Sequence, residues 1–437
     1  MTMMAVEEKS TGDRADQRSV VVPTERIIEQ EAQHIVHTYP RPPFVLDHGV
    51  GMTLYDTAGN AYLDMVAGIA VNALGYGDAE LEDAISTQTG KLLHVSNLYH
   101  TAPQSELAAK LCDLSFADRV FFNNSGSEAN ETAIKFARKW AYVNQTSDPE
   151  NKGWDYIRAH HVVDRAELVT FSSAFHGRTA GALSLTPREK YQKAFRPLLP
   201  NVKTLSFNDL EAATKAIWQG TCAVFVEPLQ GEGGIHEATP EFLQGLRKLC
   251  DEHGALLIFD EVQCGVGRTG TLWAHEAAGV TPDMMTLAKP LAGGLPIGAV
   301  LVTEKIASVI QPGDHGSTFA GGPVVCAAAN VVLDRISDPE FLAHVDQVGA
   351  YFKERLSEIN SPLITDVRGR GLMLAVELST ANTPAPAGDV VAAGYEHGLL
   401  LVNAGPETVR FVPPLIIEKA HVDELIEKLT VILAEMA

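Results

Sequence analysis

Lys289 stands in a stretch from Met284 to Thr303 with no other charged side chain, followed by Pro290 and the Gly293-Gly294 pair. An amine kept from water loses its proton more readily, and the neutral amine is the nucleophile that forms an imine with an aldehyde. The same spacing also fits a lysine that lays its stem on apolar surface and keeps its ammonium in water. Leu256-Leu257-Ile258-Phe259 delivers Asp260 at the end of an apolar run. Beside a pyridine nitrogen that carboxylate would keep the ring protonated and able to accept electrons, although an aspartate there could equally cap a helix. Asn124-Ser125-Gly126-Ser127-Glu128-Ala129-Asn130 opens a helical pattern at Ala133, Ile134, Ala137 and Trp140. Free amides at a helix start favour a phosphate, and Gly126 permits close approach. Ser125 and Glu128 also spell a capping box, which can coexist with an anion. Phe175-His176-Gly177-Arg178 offers a ring to stack on a planar group and a cation for a carboxylate, each weak alone. Gly265-Val266-Gly267-Arg268-Thr269-Gly270 matches a dinucleotide fingerprint and raises a nicotinamide-dependent dehydrogenase as a rival. Asp260 and Glu261 stand between strand and loop and would repel a pyrophosphate, so turns are expected there.

These groups need a scaffold that brings them together. Brief apolar runs at 120–122, 168–171, 223–226 and 255–259 alternate with helical stretches. Such runs between helices imply strands buried on both faces of a mostly parallel sheet, with the ligand crevice outside their carboxyl ends. The expected fold is α/β: a large domain on that sheet, flanked by helices, plus a smaller α+β domain. Residues 1–20 read as a disordered tail and 21–76 as an N-terminal segment contributing to the small domain and to dimer contacts. Residues 77–330 read as the large domain and 331–437 as the C-terminal small domain. A helix is expected over Thr24–Tyr39, ended by Pro40, Pro42 and Pro43, then a hairpin of Met52–Asp56 and Ala61–Met65. Strands over Val367–Leu378 and Thr408–Val412, a surface loop at Thr380–Ala387 and a closing helix from His421 complete the pattern.

Composition narrows the function further. A net charge of -21 argues against a nucleic-acid partner, which needs clustered Lys and Arg. No apolar run reaches the roughly 20 residues of a membrane span. Cys112, Cys222, Cys250, Cys264 and Cys326 are scattered and odd in number, suggesting neither a disulfide framework nor a metal site. With no signal-like N-terminus, a cytoplasmic protein is expected.

Taken in order, NSGSEANE at 124–131, FHGRT at 175–179, EPLQGEGG at 227–234, DEVQCGVGRTG at 260–270 and Ala288-Lys289 resemble the class III, fold-type I aminotransferases from about residue 25 onward. The segments 68–75, 96–99, 230–234 and 369–373 are similar to the acetylornithine aminotransferases within that class. The resemblance implies pyridoxal 5'-phosphate, with Ser125, Gly126 and Ser127 at its phosphate, Phe175 on its ring, Asp260 at its pyridinium, Gln263 at its phenolic oxygen and Lys289 as the catalytic lysine. It implies a homodimer, with Thr318 reaching the neighbouring subunit's phosphate. Arg178, with Ser317 nearby, would hold the substrate carboxylate far from the reacting amine. Arg410 would take the α-carboxylate of 2-oxoglutarate, and Glu232 would neutralise Arg410 while the donor is bound. Gly68, where related ornithine enzymes usually place a tyrosine, would leave room for an N-acyl group. The implied reaction moves the terminal amino group of N2-acetyl-L-ornithine to 2-oxoglutarate. Ornithine, 4-aminobutyrate and N-succinyl-diaminopimelate are alternative donors, and a non-catalytic ligand-binding protein on the same fold is the remote alternative. The chain departs from the pattern at Gly322, where Asn is common, and at Pro290, where Gly often follows the lysine.

Overall fold

A computed structural model describes residues 23–145, 165–381 and 386–437. The expected N-terminal tail lies outside the described residues, as does the middle of the expected loop at Thr380–Ala387, whose last two residues instead open a helix at Pro386–Glu396. The chain divides into two compact units, residues 1–48 with 55–60 and residues 49–54 with 61–437. The first holds a helix at Thr24–His34 that buries none of its residues. It stops short of the expected Tyr39, because Ile35 is already extended at φ -108° and ψ 135°. The prolines act only on their immediate neighbours, and nothing buries Val36 or Tyr39 within this unit to prolong the helix. The Asp56 carboxylate accepts from the amides of Ala58 and Asn60 at 2.9 and 2.8 Å, which closes the turn expected there.

The second unit is built on a seven-stranded sheet. Its strands are β1 (Arg119–Asn123), β2 (Glu167–Phe171), β3 (Val202–Leu205), β4 (Thr221–Val226), β5 (Leu256–Asp260), β6 (Met284–Leu287) and β7 (Gly298–Val302). Their order is β1-β7-β6-β5-β4-β2-β3. Pairing is parallel except at β7, which runs antiparallel to both β6 and β1. Every residue of β4 and β5 is buried, which explains why both read as continuous apolar runs. Helix α1 (Gly126–Gln145) lies on the sheet through Ala129, Ala133, Ile134, Phe136, Ala137 and Ala141, packed with Phe225, Ile258 and Val300. The small alanines let helix and sheet approach, and burying Ile134 and Phe136 contributes roughly 1.5–3 kcal/mol each.

Beyond residue 331, β8 (Ile364–Arg370), β9 (Met373–Leu378), β10 (Val402–Asn403) and β11 (Thr408–Phe411) form an antiparallel sheet in the order β8-β9-β11-β10. The expected run at Val367–Leu378 is therefore two strands, divided by a turn in which Gly371 takes φ +56°. Helix α2 (Lys419–Met436) closes the chain, burying Val422, Leu425, Ile426, Leu429, Ile432 and Leu433 at helical spacing. No helix among the described residues is long and apolar enough to cross a membrane, and no disulfide joins any of the five cysteines.

Candidate active site

Five residues that bear an amide, a ring, two carboxylates and an amine leave the sheet at the carboxyl ends of its parallel strands. Asn124 follows β1, Phe175 lies beyond β2, Glu227 follows β4, Asp260 ends β5 and Lys289 lies two residues beyond β6. A cavity of about 160 Å³ is lined by Ser125, Gly126, Ser127, Phe175, Asp260, Gln263 and Lys289, together with Asn130, His176, Gly177, Glu227 and Val262. It sits where a parallel sheet places a ligand.

Lys289 meets that cavity with a partly accessible side chain. Burial pushes its amine down to about 8, and Arg410 adds to the fall, while Glu232, Asp260 and Glu227 oppose it. The amine therefore gives up its proton far more readily than an ordinary lysine does, rather than snorkelling to bulk water. Asp260 is buried, and its Oδ1 accepts from the Val262 amide at 3.0 Å. Its Oδ2 accepts from Asn130 Nδ2 at 2.8 Å and lies 2.7 Å from His176 Nδ1. Asn130 also donates to the His176 carbonyl at 2.7 Å and accepts from Thr286 Oγ1 at 3.1 Å. Burial disfavours charge on His176, but the hydrogen bond and charge of Asp260, with Glu227 behind them, raise its pKa above the usual value. Asp260 is held by this network and does not cap a helix.

Another part of the cavity wall is the start of helix α1 at Gly126. A Cβ there would stand 2.6 Å from Val262 Cγ1, so only glycine lets the helix start meet the cavity wall. Ser125 Oγ accepts from the Glu128 amide at 3.2 Å, and the Glu128 carboxylate accepts from the Asn124 amide at 2.6 Å. The expected capping box therefore forms with Asn124 as its second donor, and the amides of Gly126 and Ser127 are left to the cavity side of the helix start.

Arg410 is fully buried and donates through Nη1 to Glu232 Oε1 at 2.6 Å and to Gln263 Oε1 at 2.8 Å. Burial raises the Glu232 pKa, but Arg410, Lys289 and Arg188 hold it below the usual carboxylate range. Arg178 is exposed and stands outside the lining, its guanidinium carbon 3.6 Å from the Tyr191 ring centroid and 5.5 Å from that of Phe175. Ser317 accepts from Asn124 Nδ2 at 3.0 Å, whereas Thr318 beside it is exposed and away from the cavity. Gly68 lies in a run, Ala67 to Ala70, in which every φ is positive. The Gly265–Gly270 loop forms turns and opens no helix, with Gly267 at φ +81° and Gly270 at +88°, which removes the dinucleotide reading.

Sequence reasoning missed His176, Asn130 and Glu227 as members of the site. Asn130 had a signal, since it lies four residues after Gly126 and so on the same helix face. His176 and Glu227 follow strand ends, as Asp260 does, but no spacing marks their inward direction.

The donor set fits a phosphorylated pyridine aldehyde: amides at a helix start for the phosphate, Phe175 for the ring, a braced carboxylate for the ring nitrogen and a deprotonatable amine for the aldehyde. Comparison with known proteins agrees. The aminotransferase class-III family model matches residues 35–433. An acetylornithine aminotransferase of mitochondria from Alnus glutinosa is 51% identical over 410 residues, covering 92% of this chain and 86% of the relative. A succinylornithine transaminase from Yersinia enterocolitica is 44% identical, covering 90% of this chain and 93% of the relative. The crystal structure of N-acetylornithine aminotransferase from Stenotrophomonas maltophilia superposes with a TM-score of 0.78 at 37% identity, covering 94% of this chain and 99% of that one. A match that spans nearly the whole chain, joined to a cavity of this composition, makes the protein a member of the class III aminotransferases, pyridoxal-phosphate-dependent transaminases of fold-type I.

Proposed function

We propose that this aminotransferase moves the terminal amino group of N2-acetyl-L-ornithine to 2-oxoglutarate, giving N-acetyl-L-glutamate 5-semialdehyde and L-glutamate, as a cytoplasmic homodimer serving arginine biosynthesis. The observation that carries the reading is the ion pair at 2.6 Å between buried Arg410 and partly exposed Glu232, close enough to Lys289 for both charges to act on its amine. An arginine that can be neutralised or freed suits a site that alternates between a donor with one carboxylate and an acceptor with two. The donor rests on the relatives named above.

Pyridoxal 5'-phosphate, when bound, supplies the electron sink that makes the carbon bearing the donor's amine acidic. Lys289 Nζ takes the proton from that carbon, as a neutral amine with a pKa near working pH can. Asp260 holds the proton on the ring nitrogen, and His176 and Asn130 fix the orientation of its carboxylate. Ser125, Gly126 and Ser127 would hold the phosphate, Phe175 would stack on the ring, and Gln263 would hydrogen-bond the phenolic oxygen, all five lying in the cavity wall with Lys289. Arg178 and Ser317 receive the distal carboxylate, and Thr318 reaches the phosphate of a neighbouring copy.

A second reading, N-succinylornithine as the donor, is favoured by the Yersinia relative. Turnover of N-acetylornithine, N-succinylornithine, ornithine and 4-aminobutyrate with 2-oxoglutarate separates these readings, with N-acetylornithine expected to give the largest kcat/KM. Borohydride reduction followed by peptide mapping should tag Lys289, and Lys289→Ala should abolish turnover. A tag on another lysine would remove the proposed role.

A further inference from the structure

We infer that Glu227 is a positioning residue that clamps the ring-stacking Phe175 and the Glu232 loop into one unit, so that cofactor grip and donor recognition weaken together when it is lost. Its Oε2 accepts from the Phe175 amide at 3.0 Å and its Oε1 accepts from the Gly231 amide at 3.2 Å. Those amides belong to different segments. Phe175 lies beyond β2, whereas Gly231 directly precedes Glu232 in the segment after β4. One carboxylate, using both oxygens, therefore joins the residue assigned to the ring to the residue assigned to Arg410 neutralisation.

A neutral apolar residue here would avoid the expense of burying a charge, so the acid stands in the cavity wall for what it holds. Glu227 is buried and lines the cavity. Burial pushes its carboxyl up to about 7; His176 opposes that rise and Asp260 adds to it, while the two amide bonds favour the ionised form. Glutamine cannot replace it, because a carboxamide accepts at one atom and presents hydrogens at the other. In Glu227→Gln one amide must face a donor, so the tie between Phe175 and the Glu232 loop is broken and neither segment is braced by the other.

The inference rests on the roles proposed for Phe175 and Glu232, and its test separates the two. Full-length Glu227→Gln is prepared as apo-protein and as holoenzyme. Its apo form should melt within about 3 °C of the parent, since a single buried hydrogen bond is exchanged. The dissociation constant for pyridoxal 5'-phosphate, from fluorescence titration of apo-protein, should rise about tenfold. The KM for N-acetylornithine should rise about tenfold and that for 2-oxoglutarate less than about threefold, because Arg410 is then poorly neutralised while the donor is bound. A folded variant in which neither quantity moves, or only one, overturns the clamp. If Glu227→Gln does not fold, Glu227→Asp, which keeps the charge but reaches one amide at a time, is held to the same paired shift. If the parent rejects N-acetylornithine the donor proposal fails, and the paired readout is then taken with whichever amine the parent accepts.

Discussion

Lys289 is kept at a thermodynamic expense that its chemistry explains. Its pKa is lowered from 10.5 to about 8 in the folded chain, so folding disfavours the ammonium. A depressed lysine pKa weakens the fold fully below about pH 8, and the loss is recovered as pH rises from about 8 to 10.5. Lys289→Met should therefore stabilise the apo-protein at pH 7 by up to roughly 3 kcal/mol by linkage, reduced because the amine still meets the cavity. That gain, measured by denaturant unfolding, should shrink toward pH 10. The same shift sets the rate of cofactor capture: apo-protein mixed with pyridoxal 5'-phosphate should react about tenfold faster at pH 9 than at pH 7 and then level off. A rate that kept climbing through pH 10 would mean an ordinary lysine. Glu232 allows a third residue-level test. Glu232→Gln leaves Arg410 buried with its charge uncompensated, so the half-reaction with the amine donor should slow at least tenfold, and that with 2-oxoglutarate far less, in stopped-flow absorbance.

Helix α1 does two jobs, filling the core with its middle turns and facing the cavity with its first. Gly126→Ala should leave the middle turns packed while forcing Val262 aside, weakening pyridoxal-phosphate binding about tenfold with a small change in melting temperature. Gly90, near the end of the helix Ala79–Lys91, meets nothing within 4 Å of an added Cβ, so Gly90→Ala should leave binding unchanged and raise stability by up to about 1 kcal/mol. The strands that carry the site were legible because β4 and β5 are buried on both faces and so appear as unbroken apolar runs. The start of α1 was legible because Ser125 and Glu128 spell a capping box and Gly126 stands against Val262 where no Cβ fits. The end of the helix at His34 was not, since apolar spacing continues through Val36 while the backbone turns extended at Ile35. The Val367–Leu378 run hid its turn for a related reason, because Gly371-Leu372 interrupts it without a polar residue. Lys289 stood out through isolation in apolar sequence, and Asp260 as the first charge after an unbroken apolar run. Asn130, His176 and Glu227 did not, since their roles arise from hydrogen bonds between segments distant in the chain.

At the scale of the whole molecule, the loop holding Thr318 turns outward. Asn97 Nδ2 donates to the carbonyls of Ser317 and Ala320 at 3.3 and 3.0 Å, tying that loop to the turn at Ser96–Leu98. Leu98, Tyr99 and Phe319 are 82, 68 and 68% exposed, an apolar surface suited to a second copy. Sedimentation should give the mass of two 47.0 kDa chains, and Phe319→Asp should shift it toward one while weakening cofactor binding in the same sample. In the proposed homodimer, Thr318 standing outside its own chain's cavity would also govern how damage combines. A mixed pair of one chain carrying Lys289→Ala and one carrying Thr318→Ala would have one pocket with both native residues and one with neither. The activity of such a mixture would depart from the mean of its parents, because every mixed pair restores a complete pocket that the Lys289→Ala parent never contains.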